Sequence, residues 1–124
     1  MRTLIGIMLA GAVGAAARYG LDAIVAARVS GPFPWGTFIV NITGAFALGV
    51  LFTVLTRRFS IDPSVRFAVT TGFIGSYTTF STLTLQTLQL AQDGYVGLAL
   101  AYSLGSLVAG MAAVIAGVLV GRAV

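Results

Sequence analysis

The sequence predicts an all-α membrane protein with four transmembrane helices per subunit, and three observations carry that reading: a scarcity of charge, long uncharged runs, and turn residues between them. Hydrophobic residues make up 58% of the chain and only ten of its 124 residues are charged, whereas soluble domains carry about a quarter charged residues. So small a set cannot coat a water-facing surface. Residues 29–56, 67–92 and 94–121 contain no charge, and each run exceeds the roughly 20 residues that cross a hydrocarbon layer of about 30 Å. A core helix of a soluble domain would need a polar face that these runs lack.

The first span is read from 3 to 27. Residues 3–17 are uncharged, then Arg18 and Asp22 interrupt a stretch that stays rich in Ala, Leu and Ile. A secretory leader is the competing reading, because Arg2 precedes the apolar region. Against it, Arg18 and Asp22 stand where a cleavage region would fall, and three more apolar segments follow. Ser30-Gly31-Pro32-Phe33-Pro34-Trp35-Gly36 is a turn-rich link whose Trp35 suits a membrane interface. The second span covers 36–56. Arg57-Arg58-Phe59-Ser60-Ile61-Asp62-Pro63 is the next link, and Asp62 before Pro63 has the form of a helix start, with a carboxylate capping free amides. The third span covers 64–91, and Asp93-Gly94 leads into the fourth at 95–121. One domain spans 1–124, with no separating linker and no low-complexity tail.

Absences narrow the chemistry. The chain has no His, Glu, Lys or Cys, and its acids are Asp22, Asp62 and Asp93, all near predicted helix ends. Hydroxyls without a base do not make a hydrolase, so no catalytic residue is assigned. The net charge of +4 is spread over helix ends, which suits anchoring to membrane lipid and gives nucleic acid no basic stripe. A proton-coupled exporter of cations would need a carboxylate in the middle of the first span, and none is there. The permeant species is therefore expected to be an anion met by hydroxyl, amide and aromatic-edge groups.

Sixteen glycines fit a bundle whose helices associate through small side chains. Gly6, Ala10 and Gly14 share one face of the first span, as do Ser106 with Gly110 and Gly117 with Gly121 in the fourth. Four short helices enclose little volume, which places a polar pathway at a subunit interface and predicts a dimer. The middle of the third span gathers two glycines and many hydroxyls from Gly72 to Thr84, so a local break is expected at Gly75 to Thr79. Carbonyls freed there would suit a cation. An unbroken helix with hydroxyls bonded to the preceding turn is the alternative. Asn41 needs a polar partner in hydrocarbon, either a passing anion or a neighbouring helix. Arg18 and Asp22 either pair at i,i+4 or snorkel to the membrane edge, and either way Arg18 enriches anions at a vestibule. Tyr102 and Ser106 offer hydroxyls from the fourth span, with a core Tyr whose hydroxyl is satisfied as the competing reading.

Three stretches make the sequence similar to a known family: Gly14-Ala15-Ala16-Ala17-Arg18-Tyr19; Pro34-Trp35-Gly36-Thr37 leading to Val40-Asn41; and Thr71-Gly72-Phe73-Ile74-Gly75 leading to Thr78-Thr79-Phe80-Ser81-Thr82. Together they resemble the small bacterial fluoride channels, the Fluc or CrcB proteins, along nearly the whole chain. The resemblance implies an antiparallel, dual-topology dimer in the bacterial cytoplasmic (inner) membrane, with a broken third helix and two fluoride pathways. It implies that Asn41, Phe80, Ser81, Thr82, Leu83, Tyr102 and Ser106 lie on the ion pathway, with Arg18 at its vestibule. It also implies that the backbone carbonyls of Gly75 and Thr78 from both subunits hold a structural Na+ at the dimer interface. Two departures stand out. The family pattern has a second phenylalanine where this chain has Leu83, and commonly a glutamate where it has Gln86. Leu83 has no ring edge to offer an anion, and Gln86 keeps a donor and an acceptor without a charge.

With four spans, Arg2, Arg57, Arg58, Arg66 and Arg122 fall on one side of the membrane and Arg28 on the other, where Arg18 adds a second. That bias favours cytosolic termini and works against equal insertion in both directions. Two arrangements follow: a self-paired homodimer, or a heterodimer with a related chain whose arginines are reversed. Reporter tags on the C-terminus should give signal from both faces of the membrane, with fluoride flux, for a self-paired chain. A single orientation, with flux only after a second related chain is added, would establish obligate pairing.

Overall fold

The computed structural model describes residues 1–57 and 61–124; Arg58, Phe59 and Ser60, expected in the second link, lie outside the described residues. Every regular element among the described residues is helical. Helix α1 runs Arg2–Ala26, α2 Trp35–Arg57 and the short α3 Pro63–Phe67. A π-helical segment Ala68–Ile74 continues α3, then α4 (Gly75–Tyr77), α5 (Phe80–Gln92) and α6 (Val96–Ala123) follow. Three of these, α1, α2 and α6, are long and apolar enough to cross a membrane, and their ends fall within two residues of the expected bounds. The chain is a multi-pass membrane protein.

The expected helix start at Asp62-Pro63 is present. Asp62 Oδ1 accepts the Ser64 amide at 2.7 Å and Pro63 opens α3. Hydrogen bonds from the Ser64 backbone and side chain hold the Asp62 carboxyl below the usual carboxylate range. The cap's contribution is therefore complete above the ordinary Asp pKa and is lost only as pH falls through the lowered one. Thr3 Oγ1 meets Ser64 Oγ at 2.8 Å, tying the start of α1 to α3.

Packing is the reverse of a soluble protein's. Large apolar side chains face outward, among them Leu4, Met8 and Leu9 of α1 and Leu100, Leu104 and Leu107 of α6. Many of the buried positions are glycine: Gly14 on α1, Gly44 and Gly49 on α2, Gly117 and Gly121 on α6. Lipid is as apolar as leucine, so burying leucine gains little and close backbone contact becomes the source of cohesion. The most extensive contact joins α2 to α6, and α1 lies chiefly along the π-helical segment. At the first, a methyl on Gly49 would stand 2.5 Å from the Val114 carbonyl oxygen, and one on Gly117 would run into the Phe46 carbonyl. At the second, Gly14 covers the Phe73 carbonyl, and a methyl on Gly72 would lie 2.8 Å from the Ile7 carbonyl oxygen.

Between α4 and α5 the backbone is extended at two residues, Thr78 (φ −81°, ψ 158°) and Thr79 (φ −150°, ψ 117°). Gly75, expected at the start of a break, is itself helical at φ −63°, ψ −32°. Glycine weakens a helix without stopping it. What stops this one is a competing set of partners, described below.

Gly117→Ala and Gly49→Ala should each lower the thermal midpoint of the solubilised protein, corresponding to about 1–3 kcal/mol of overpacking. Gly105→Ala, where an added methyl meets nothing within 4 Å, should leave the midpoint equal or raise it by up to roughly 1 kcal/mol equivalent. Equal effects at all three positions would show that the glycine contacts do not hold α2 on α6.

Candidate ion pathway at the Thr78–Thr79 turn

Thr79 has three groups to satisfy, and each finds a partner. Its amide donates to Asn41 Oδ1 at 2.8 Å and its carbonyl accepts from Asn41 Nδ2 at 3.0 Å. Its hydroxyl accepts the Thr82 amide at 3.2 Å, capping α5, and donates to Thr82 Oγ1 at 3.0 Å, with Ser81 Oγ 3.3 Å away. Upstream, the Thr78 amide closes the last helical bond of α4 on the Ile74 carbonyl and the Thr78 hydroxyl donates to the same oxygen, both at 3.0 Å. Gly44 lets the turn approach α2, because a methyl there would strike Thr78 Cγ2 and stand 3.0 Å from the Tyr77 ring. Tyr77 Oη meets Thr43 Oγ1 at 2.9 Å beside it.

Two openings meet at this turn. An open groove of about 740 Å³ between α2, α5 and α6 is lined by Asn41, Thr78, Phe80, Leu83 and Ser106 among others. A recess of about 200 Å³ is lined by Arg18, Tyr19, Asp22, Thr37 and Thr82. Thr79 borders both.

The residues expected on the pathway thus divide. Asn41, Phe80, Leu83 and Ser106 share the groove, while Arg18 and Thr82 share the recess. Ser81 is exposed beside the Thr79 hydroxyl. Tyr102 lines neither; it is fully buried, and its hydroxyl donates to Gln86 Oε1 at 2.8 Å. The Phe33 ring meets Tyr102 edge-on at 5.2 Å, and Leu83 packs against the same cluster. Gly75 and Thr78 are the expected carbonyl donors, and the amides that would close on them in a continuous helix, those of Thr79 and Thr82, bond to Asn41 and to Thr79 Oγ1.

The groove suits an anion. Phe80 is 78% exposed, so its electropositive ring edge is unclaimed within the subunit. Ser106 is 7% exposed, and its hydroxyl has no hydrogen-bond partner among the described residues. Phe80 also opens α5, where the first amides of a helix have no carbonyl behind them and carry its positive end. No acidic residue lines the groove. Sequence reasoning missed Thr79, although it stands inside the recognised motif in a position to cap Thr82, and it missed Gly44. It singled out Gln86 as a departure without finding Tyr102 as its partner, which nothing local in the sequence discloses.

The fold and the site define a class: small multi-pass membrane proteins whose polar groups gather along an open groove that no acidic residue lines. Within it, the chain belongs to the family described as CrcB-like protein, Camphor Resistance (CrcB), which matches residues 5–118. It is 45% identical to the fluoride-specific ion channel FluC of Acidobacterium capsulatum over 94% of this chain and 93% of that protein. It is 42% identical to the fluoride-specific ion channel FluC of Nitratidesulfovibrio vulgaris over the full length of both. Its identity to the fluoride-specific ion channel FluC 2 of Geobacillus kaustophilus is 46%, over 88% of this chain and 84% of that protein.

Tyr102→Phe should destabilise the solubilised protein by about 1–3 kcal/mol, because Gln86 Oε1 loses its donor. Ser106→Ala should leave the thermal midpoint equal or higher, since no partner in the subunit is lost. A loss at Ser106 as large as that at Tyr102 would reveal that its hydroxyl is bonded in a second copy.

Proposed function

We propose that this chain is a fluoride-selective passive channel of the bacterial cytoplasmic membrane, exporting fluoride that has entered as HF and dissociated in a more neutral cytosol. The observation that carries the reading is the meeting of the exposed Phe80 ring and the unpartnered Ser106 hydroxyl in one groove that no carboxylate enters. Fluoride is compact and costly to dehydrate. Ring edges and hydroxyl donors at fixed positions replace its water without a full positive charge that would trap it. The names of the FluC relatives agree with this reading.

The groove is open along its length, so a working pathway needs a cover. An antiparallel second copy would supply it and give two equivalent pathways per dimer. In this reading α3 to α5 form one membrane crossing interrupted at Thr78–Thr79, since irregular backbone at membrane depth is tolerated only where protein or a water-filled cavity covers it. The carbonyls of Gly75 and Thr78 fit a hard monovalent cation, because their helical amides are engaged elsewhere. One subunit supplies too few oxygens, so a structural Na+ would be shared by two copies and its charge would offset the nearby anion. Arg18 at the recess would raise the local anion concentration.

A second reading has its own observation. Leu83 lines the groove where the family has a ring, so a related chain in a heterodimer would supply the missing edge. An exporter of another class is distinguished by dependence of flux on a proton or counter-substrate gradient.

Vesicles holding this chain alone should release fluoride and retain chloride, and release without preference would end the proposal. Phe80→Leu should reduce fluoride release roughly threefold to tenfold, the worth of one aromatic edge, with assembly intact. A high-resolution map should show a non-water peak on the dimer axis near Gly75 and Thr78; its absence beside a continuous third crossing would remove the Na+ from the account.

A further inference from the structure

We infer that Asn41 is a positioning residue, its carboxamide acting as a substitute peptide group that holds the Thr78–Thr79 turn open. A residue serving only as a donor to a passing ion would present Nδ2 and leave Oδ1 to any partner. Here Oδ1 takes the Thr79 amide at 2.8 Å while Nδ2 is given to the Thr79 carbonyl at 3.0 Å. This is the reciprocal two-bond exchange of a hydrogen-bonded pair in an antiparallel sheet, made by a side chain. Asn is suited to it because a short carboxamide carries a donor and an acceptor on neighbouring atoms.

The amide decides the conformation. The Thr79 carbonyl has two lone pairs and, as the residue before α5, also serves that helix. The Thr79 amide has one proton, and Thr79 is 8% exposed. Buried there, the amide must bond within the chain. Its two available acceptors are Asn41 Oδ1 and, four residues back, the Gly75 carbonyl that would restore a continuous helix. Asn41 therefore competes directly with helix continuation. On the channel reading above, holding Thr79 is also what leaves the Gly75 carbonyl free and keeps Phe80 at the head of α5, so one side chain sets both the anion groove and the carbonyl cage.

The carboxylate of Asn41→Asp keeps an acceptor for the Thr79 amide but repels the Thr79 carbonyl. Protonated, it is the amide's isostere with both functions restored. Asn41→Leu has neither at any pH. The ionisable groups around the site are Arg18, Tyr19 and Asp22 of α1, across Thr79 in the recess, Tyr77 of α4 against Gly44, and Tyr102 of α6, held by Gln86. Wild-type protein carries all five and serves as the reference at each pH.

Amide-resolved hydrogen exchange in fluoride-free nanodiscs tests the inference. At about pH 8, Thr79 exchange should be on the order of tenfold to a hundredfold faster than wild type in Asn41→Leu, the effect of losing the buried acceptor, and faster by a smaller factor in Asn41→Asp, whose carboxylate keeps that acceptor but repels the Thr79 carbonyl. Toward about pH 4, where an Asp side chain gains its proton, Asn41→Asp should return to the wild-type rate and Asn41→Leu should not. Wild-type exchange at Thr79 in both variants would overturn the inference, leaving Asn41 as an ion donor only. An Asn41→Asp protein that stays fast at both pH values would overturn it equally, since acid returns both bonds. Fluoride is absent throughout, so failure of wild-type vesicles to release it would sink the channel reading and leave the exchange result to decide the role of Asn41.

Discussion

Inside a bilayer no backbone amide or carbonyl can be left without a partner, and on the channel reading proposed above the extended pair Thr78–Thr79 is where this chain meets that constraint. The solution draws on three elements. Asn41 of α2 takes both backbone groups of Thr79, the Thr79 hydroxyl caps α5, and Ile74 accepts twice from Thr78. These bonds require α2 to lie against the turn, and Gly44, three residues on from Asn41, removes the side chain that would hold it off. The position of α2 is fixed in turn by α6, through Gly49 and Gly117.

The same constraint explains why the groove is chemically mild. A fixed charge within hydrocarbon is expensive, and the chain has none among the groove residues. What remains for recognising an anion are dipoles: a hydroxyl, an amide, a ring edge and the start of a helix. Each is weak alone, and all depend on being held in place. Rigid support therefore matters more here than in a site built on a lysine or arginine, whose charge acts over several ångströms regardless of angle.

Three of the four expected spans, α1, α2 and α6, were legible because uncharged length is a direct reading of bilayer thickness, and the Asp62-Pro63 start because cap chemistry is local. The grouping of Asn41, Phe80 and Ser106 along one groove followed from the family motifs. The exact extended residues were not legible. Glycine preference pointed to Gly75, but the outcome rests on a competition won by Asn41, 38 positions from Thr79 in sequence. The π-helical register of Ala68–Ile74 was also hidden, since it accompanies the seating of Gly72 against Ile7 on another helix. Tyr102 offered two readings on sequence, and the choice turns on Gln86, sixteen positions away. In each case the local signal was a polar group needing a partner, and only the tertiary contact says which one it took.

The two departures from the family pattern are best weighed together, because Leu83 and Gln86 lie one helical turn apart on α5 and both touch the Tyr102 cluster. Losing a ring at Leu83 removes a positive edge, which makes the groove less favourable to an anion. Having Gln at 86 acts in the opposite sense. An ionised carboxylate there would accept from Tyr102 and leave a negative charge behind the groove, whereas the carboxamide accepts through Oε1 and keeps two N–H donors beyond that bond. The electrostatic consequences for a passing anion therefore oppose one another. On the proposed channel reading, a chain carrying the Leu83 change alone would need the missing attraction from another subunit, whereas in a chain carrying both the two changes oppose one another, which favours pairing with itself.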